Sequence, residues 1–506
     1  MTATAVGSVG HAGSEIPGTQ LKKGALGLWD DTVIAISSTA PAYSIATSLG
    51  ALAAVVGLAS LAAIWIGFLP VTGIAIAYYY MNRVDPNCGA AYTWASKALH
   101  PGLGFANGWV VILTDLLFMS FAAPQGGAAL LGLFNAWGLN SIGGLDLTPT
   151  AWNANYEQVF FGVLLLALVT YMVTVGIKVA ARFQWVLLAL EYVIVLAFAI
   201  LGFFKGGGSG LSTDWVNPFS MGGLSAFAGG VVISVFFYWG WDTAANLNEE
   251  TEESSENPGR AGIIAMLFLL VLFLITAASI QFVMTPDEIQ ANSSQVLIAW
   301  ADKMVGAQWG SLAALAFLSS TVATLQTTLL PSVRTAFSMG RDHMLGPIWA
   351  KVNPVWQTPA WGTIIMGALA GIIAIVSVKV GGLNAIVSAG VLSIGLLVAF
   401  YYSLVGIACT VYYRHALTRN IKGFVFAGVV PILSAASLIG LGVYLTYTDW
   451  TLSDTFAFDA TNGKFLVAVP GVVLLAAIPA LIWTWVRRHP KYLSMPTVAA
   501  PANALD

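Results

Sequence analysis

The sequence predicts an all-α membrane protein of twelve transmembrane helices, built as a five-plus-five inverted repeat with two further helices at the C-terminal end. Three observations predict it. Only 8% of the 506 residues are charged and 58% are hydrophobic, whereas a soluble domain is about one quarter charged. The apolar residues also come in long runs. No Asp, Glu, Lys, Arg or His occurs from Thr32 to Asn82, and because one span takes about 20 apolar residues, that stretch alone holds two. Finally, the first and sixth spans are each interrupted near the middle by polar, glycine or proline residues. Interruptions at corresponding positions of two halves mark an internal repeat with a binding site between them, and an odd number of helices per repeat forces the second to run inverted.

In order, the spans cover 28–50, 54–80, 103–134, 158–176, 183–204, 222–247, 261–284, 310–335, 360–379, 383–413, 424–446 and 466–486. Residues 1–24 are rich in Gly, Ser and Thr and lack an apolar core, which fits a disordered tail rather than a signal peptide. The flanking charges set the orientation. With the N-terminus inside, 16 of the 20 Lys and Arg residues fall on inner segments, and only Lys205, Lys303, Lys379 and Lys464 fall outside. The positive-inside rule then places both termini in the cytoplasm. The expected division is a cytoplasmic tail (1–24), a first repeat (25–205), a second repeat (206–415), spans 11 and 12 (416–490) and a cytoplasmic C-terminal tail (491–506).

The first span contains Ser37-Ser38-Thr39-Ala40-Pro41. Pro41 lacks the N–H that a continuous helix needs, and the neighbouring hydroxyls can rebind freed backbone groups; a simple proline kink has the same signature. The sixth span reads LSAFAGGVVISVFFYWGWDTAANLNEETEESSENPGR from Leu224 to Arg260. Hydrocarbon does not tolerate a lone carboxylate, so Asp242 marks a cavity. Gly240 allows the backbone to unwind, and unwound backbone at that depth survives only where it lines such a cavity. These features imply a secondary transporter with its substrate beside the two breaks. Span 3 carries Asp115, one turn before Met119, and span 5 carries Glu191. Each is a coupling candidate, and each also fits a hydrogen-bonded carboxyl at a helix contact, Asp115 more so than Glu191. Span 8 is rich in hydroxyls: Ser319, Ser320, Thr321, Thr324, Thr327 and Thr328. Ser320, Thr324 and Thr328 share one face, which either holds a cation against span 1 or ties the two helices together; the second reading is preferred. In span 10, Ser388, Gly390 and Ser393 read as packing residues.

The connecting segments are more specific. PNCGAAYTWASKALHPGLGFANGW (Pro86 to Trp109) resembles the loop between spans 2 and 3 of the amino acid–polyamine–organocation permeases. SVRTAFSMGRDHMLGPIWAKVNPVWQTPAWG (Ser332 to Gly362) resembles their loop after span 8, with Arg341-Asp342 and Thr358-Pro359 in place. Phe236 to Arg260 is similar to their sixth span, with Trp239-Gly240-Trp241-Asp242 followed by acids and Asn257-Pro258. The resemblance covers 26–486 and implies a LeuT-type inverted-repeat fold that moves amino acids or related amines across the cell membrane by alternating access. The chain departs from the family in three places. The glycine-serine-glycine of span 1 is replaced by Ser37 to Pro41, the acidic stretch before Asn257 is longer, and a lysine that some proton-linked members carry in span 5 is Glu191 here.

On this reading a substrate carboxylate lies against N–H groups near Ser38 to Ala40, at the partially positive start of a half-helix. An ammonium finds carbonyls around Phe237 to Gly240, and Tyr238, Trp239 and Trp241 enclose the apolar part. Thr324 and Thr328 complete the substrate site, with Ser320 and Thr321 as ion-coupling candidates. Glu191 is the candidate for proton coupling, its protonated form donating to the span 1 carbonyls. A polyamine carrier leaning on Asp242, Asp115 and Glu191 is the alternative. An enzyme would need clustered nucleophiles or metal ligands, and the five histidines have no ligand spacing. A channel would need a ring of filter residues that one chain does not repeat. No motif calls for a cofactor, and no basic patch calls for nucleic acid.

Overall fold

The structure, a computed structural model, describes residues 20–142, 145–147, 156–206, 212–293, 295–377, 383–457, 462–488 and 490–505, with backbone only at 142, 145, 146 and 383–389. Most of the expected N-terminal tail, Lys379 and the Ser388 side chain lie outside the described residues. Among those described, ten helical runs are long and apolar enough to cross a membrane. The first, Leu28–Val84, holds two expected spans, and the shorter apolar helix Leu224–Phe237 opens the sixth. The architecture is compatible with twelve spans and is all-α apart from one hairpin of two-residue strands, Ser141–Ile142 and Leu145–Asp146.

The first span is two helices, α1 (Leu28–Ser38) and α2 (Pro41–Val56). Asp30 starts α1 by accepting the Gly27 N–H at 3.0 Å, and Asp30 and Asp31 in the first turn suit the positive end of the helix. Pro41 takes the first position of α2, where no N–H is needed. After α3 (Ser60–Val84), a short α4 (Ala91–Ala98) leads into the long α5 (Pro101–Ala136). Then come α6 (Tyr156–Val175) and α7 (Ile177–Lys205). The sixth span is again two pieces, α8 (Leu224–Phe237) and α9 (Thr243–Asn246). Beyond it lie α10 (Asn257–Val283), two short connecting helices α11 (Pro286–Ala291) and α12 (Val296–Val305), α13 (Ala307–Arg341), α14 (Ala360–Ser377) and α15 (Leu383–Tyr413). A short α16 (Ile421–Gly423) runs through a π-helical turn into α17 (Val430–Leu452), and α18 (Gly463–Arg488) is last.

α13 and α5 form the centre. α13 packs against α5, α7, α12 and α1, and α5 against α6, α14 and α15. α5 and α6 approach at Gly127 and Gly162, where added Cβ atoms would strike the Gln158 and Ala123 carbonyls; small residues allow helices to pack this closely.

Both described chain ends lie on one face of the bundle, and that face is tied shut. The backbone at Ala25 and Leu26 donates to the Glu250 carbonyl at 2.7 and 3.2 Å, and Glu252 N–H returns a bond to Leu26 at 2.8 Å. Arg334 of α13 binds the Glu250 carboxylate in a two-pronged pair at 3.0 and 3.2 Å, with both side chains at 0% exposure. Arg341 holds Glu249 at 2.9 and 2.6 Å and lies 3.3 Å from the buried Cys88 thiol. Burial alone would push the Glu249 carboxyl up, but Arg341 and the Cys88 N–H outweigh it and hold it below its ordinary range. The C-terminal segment crosses the same face. Tyr492 stacks on Tyr92, Val498 N–H reaches Lys97 and Ala500 N–H reaches Tyr412, both at 2.8 Å.

Candidate functional site

The two helix breaks face each other. In the first, Ala40 adopts a left-handed conformation, φ 51° and ψ 64°. In the second, Gly240 has φ 114°, and a Cβ placed there would lie 2.5 Å from the Ser38 carbonyl oxygen. Only glycine allows this approach. The Ser38 and Thr243 hydroxyls meet across the gap at 2.8 Å.

The backbone freed at the first break is satisfied from within the protein. Thr39 and Ala40 N–H donate to Ile36 and Ser37 carbonyls at 3.1 and 3.0 Å, and Ser44 N–H to Ala40 at 2.7 Å. Ala42 N–H donates to the Glu191 carboxylate at 2.6 Å, and Tyr43 N–H donates to the Ser320 hydroxyl at 3.2 Å. The Ser38 carbonyl accepts from Thr324 at 3.0 Å, and the Thr39 carbonyl from Ser44 at 2.8 Å.

Asp242 sits in a cage of phenols. Tyr402 donates to one carboxylate oxygen at 2.9 Å; Tyr401 and Tyr78 donate to the other at 3.1 and 3.5 Å. The Trp239 indole N–H in turn donates to the Tyr401 hydroxyl at 2.7 Å. Asp115 on α5 is buried, and its Oδ2 has no hydrogen-bond partner. One turn further on, Phe118 packs edge-on against Trp239 at 5.2 Å and Tyr43 at 5.5 Å. Tyr43 also stacks on Phe317 at 5.3 Å and donates its hydroxyl to Gln125. Acids and aromatic faces therefore converge between α2, α5, α8, α13 and α15.

Over residues 26–485 the sequence matches the family model described as amino acid permease. The chain belongs to the amino acid permease family. The permease is 26% identical over 404 residues to a methylthioribose transporter of Bacillus subtilis (strain 168), spanning 77% of this chain and 83% of that one. It is 28% identical over 310 residues to the low-affinity putrescine importer PlaP of Escherichia coli (strain K12), 58% of this chain and 62% of that one. To the branched-chain amino acid permease BcaP of Lactococcus lactis subsp. cremoris (strain MG1363) it is 27% identical over 323 residues, 62% and 66% of the two chains. The crystal structure of MhsT in complex with L-phenylalanine superposes with a TM-score of 0.59 at 14% identity, covering 81% of this chain and 97% of that one, a likeness of fold alone. The protein is a multi-pass membrane transporter, not an enzyme.

In the permease the predicted site residues divide. Ser38, Thr39, Ala40, Pro41, Gly240, Asp242, Glu191, Ser320 and Thr324 stand at or beside the breaks, and Thr328 follows Thr324 at 3.4 Å. Ser37 is fully buried next to them, as is Met119 on the turn after Asp115. Four expectations are corrected. The N–H groups expected to meet a substrate carboxylate near Ser38 to Ala40 are engaged in the permease's own bonds. Glu191 meets the Ala42 N–H, not the span 1 carbonyls, because it reaches the start of α2 rather than the end of α1. Tyr238 packs onto Phe68 and Phe273 and Phe237 onto Phe273, away from α5, while Trp241 lies against Tyr78 and Tyr402 of the Asp242 cage; of these four predicted rings, Trp239 is the one that meets Phe118 on α5. Thr321 bonds its own helix at the Phe317 carbonyl, 2.7 Å away. Sequence reasoning missed Tyr78, Tyr401, Tyr402 and Phe118. Phenols inside apolar spans seek a partner, and the adjacent Tyr401-Tyr402 opposite a lone Asp242 was the available signal.

Proposed function

We propose that this permease carries an amino acid or a small amine across the cytoplasmic membrane by alternating access, with both termini in the cytoplasm and spans 1–5 and 6–10 as its two inverted repeats. The observation that carries the reading is the meeting of two broken helices, Ser38 against Thr243 and Gly240, beside the buried acids Asp242 and Asp115. Broken helices at mid-depth are where secondary transporters bind substrate. The apolar outer faces, with Leu164, Leu168, Val193 and Ile482 exposed, suit a lipid bilayer.

For coupling, we assign the proton to Glu191. One carboxylate oxygen grips Ala42 N–H and the other is buried without a partner. The ionised form holds the start of α2; a proton on the free oxygen weakens that hold, which makes α2 a two-state element biased by protonation. Ser320 and Thr324 of span 8 serve as ties to span 1. Flux of labelled amino acids and amines into proteoliposomes, with and without counter-substrate, tests the reading. Exchange stimulated by substrate on the far side is the expected result; flux that needs no binding and never saturates would mean a channel.

A further inference from the structure

Among the described residues the site holds three carboxylates, Asp115, Asp242 and Glu191, and none of them is paired with a cation. Arg83 of α3 is bound to Glu256 at 2.8 Å, and Lys178, Arg182 and Lys205 of α7 lie two or more turns from Glu191. α1, α2, α5, α8, α9 and α15 contain no Lys, Arg or His. The only basic residues on α13, Arg334 and Arg341, are committed to Glu250 and Glu249 on the closed face. A zwitterionic amino acid brings one positive and one negative group, and here the negative one has no charged partner.

Nor does it have a backbone partner at the first break. From Thr39 to Ser44 every N–H is engaged and Pro41 has none. The two donors that start α2 and point out of the helix, Ala42 and Tyr43, are covered by Glu191 and Ser320. A helix start with free N–H groups is an anion site; this one already contains an anion, supplied by α7. The positive half of a ligand is provided for independently. Asp115 is 3% exposed and has an unpartnered oxygen. One turn on, Phe118 meets Trp239, whose indole bonds Tyr401 of the Asp242 cage, and Phe118 and Trp239 form an aromatic wall of the kind that attracts ammonium groups.

We propose that Glu191 is the permease's own stand-in for a substrate carboxylate, and that the transported substrate is an amine without one, its ammonium taken by Asp115 and Asp242. The inference rests on the transport reading above and narrows it. Glu191 is thus a specificity-determining residue. It excludes amino acids twice, by occupying the Ala42 N–H and by repelling a second carboxylate.

The test uses pairs that differ only by the carboxylate: lysine and cadaverine, ornithine and putrescine, phenylalanine and phenethylamine. Each is assayed for exchange by the full chain in proteoliposomes. At least tenfold stronger exchange of the amine than of its amino acid, in every pair that is exchanged at all, is expected. Equal or stronger exchange of the amino acids would overturn the inference and leave the transport reading intact, whereas no exchange of either class would overturn both. The variant Glu191→Ala uncovers Ala42 N–H and is expected to shift the preference at least tenfold toward the amino acid of the pair. An inserted, monodisperse Glu191→Ala protein with the wild-type preference would remove Glu191 from the proposal. Should that variant fail to fold, the wild-type comparison still decides the substrate class.

Discussion

Gly240 and Ala40 are opposite solutions to the same backbone demand. Both have positive φ, but Gly240 is also pressed against the Ser38 carbonyl. Gly240→Ala therefore adds a collision to a strained conformation, and a loss of roughly 2 kcal/mol or more is expected, read as a fall in the thermal unfolding midpoint. Ala40→Gly relieves a left-handed alanine costing roughly 1–2 kcal/mol while adding about 0.5–1 kcal/mol of unfolded-chain entropy. The small net gain predicts an unchanged or slightly raised midpoint. Asp242→Asn keeps the shape of the phenol cage but removes its charge, so most transport is lost while the protein inserts and purifies; wild-type uptake of every substrate would remove Asp242 from the site. For Glu191→Gln in liposomes with an imposed pH gradient, the ratio of gradient-driven accumulation to exchange should fall. An unchanged ratio would take the proton away from Glu191.

At the scale of elements, α13 matters because two of its hydroxyls tie it to neighbouring helices. Thr324 bonds Ser38 and Ser319 bonds the Leu187 carbonyl at 2.8 Å. Uptake should therefore survive replacement of sodium by choline at fixed pH, and Thr324→Val should loosen the first break without creating a sodium requirement. Arrest in choline would assign the hydroxyl face to a cation. The spans themselves were legible, because charge depletion and the 20-residue length of a membrane crossing are local properties of the chain. So were the breaks, since Pro41 and Gly240 announce themselves. What stayed hidden was direction. Tyr238, Trp239 and Trp241 look alike in the sequence, yet Trp239 meets Phe118 on α5, Tyr238 meets Phe273 on α10 and Trp241 meets Tyr78 on α3. The caging of Asp242 by Tyr78, Tyr401 and Tyr402 joins three distant segments, and no local pattern encodes that meeting. The short helices α4, α11 and α12 were missed because they are too short and mixed for a hydropathy signal.

For the molecule as a whole, the ion pairs on the closed face set the balance between its two openings. Arg334→Ala leaves Glu250 buried and unpaired, which in comparable pairs costs about 3–5 kcal/mol, so this face should open more often. Because the Glu249 carboxyl is held below its ordinary value of 4.5, its contribution is present above that pH and is lost only as the pH falls through the lowered value. The Arg341 pair should therefore hold at neutral pH and through mild acidification. Cys88 lies beneath Arg341 at 0% exposure, and Cys409, the other thiol, is buried inside α15. With Cys409→Ser, one thiol remains, and a maleimide can reach it only during the moments when Arg341 has swung aside. The alkylation rate then counts those moments, without any attached dye or engineered label. Arg334→Ala should make that native stopwatch run faster, and a substrate that holds the opposite side open should slow it.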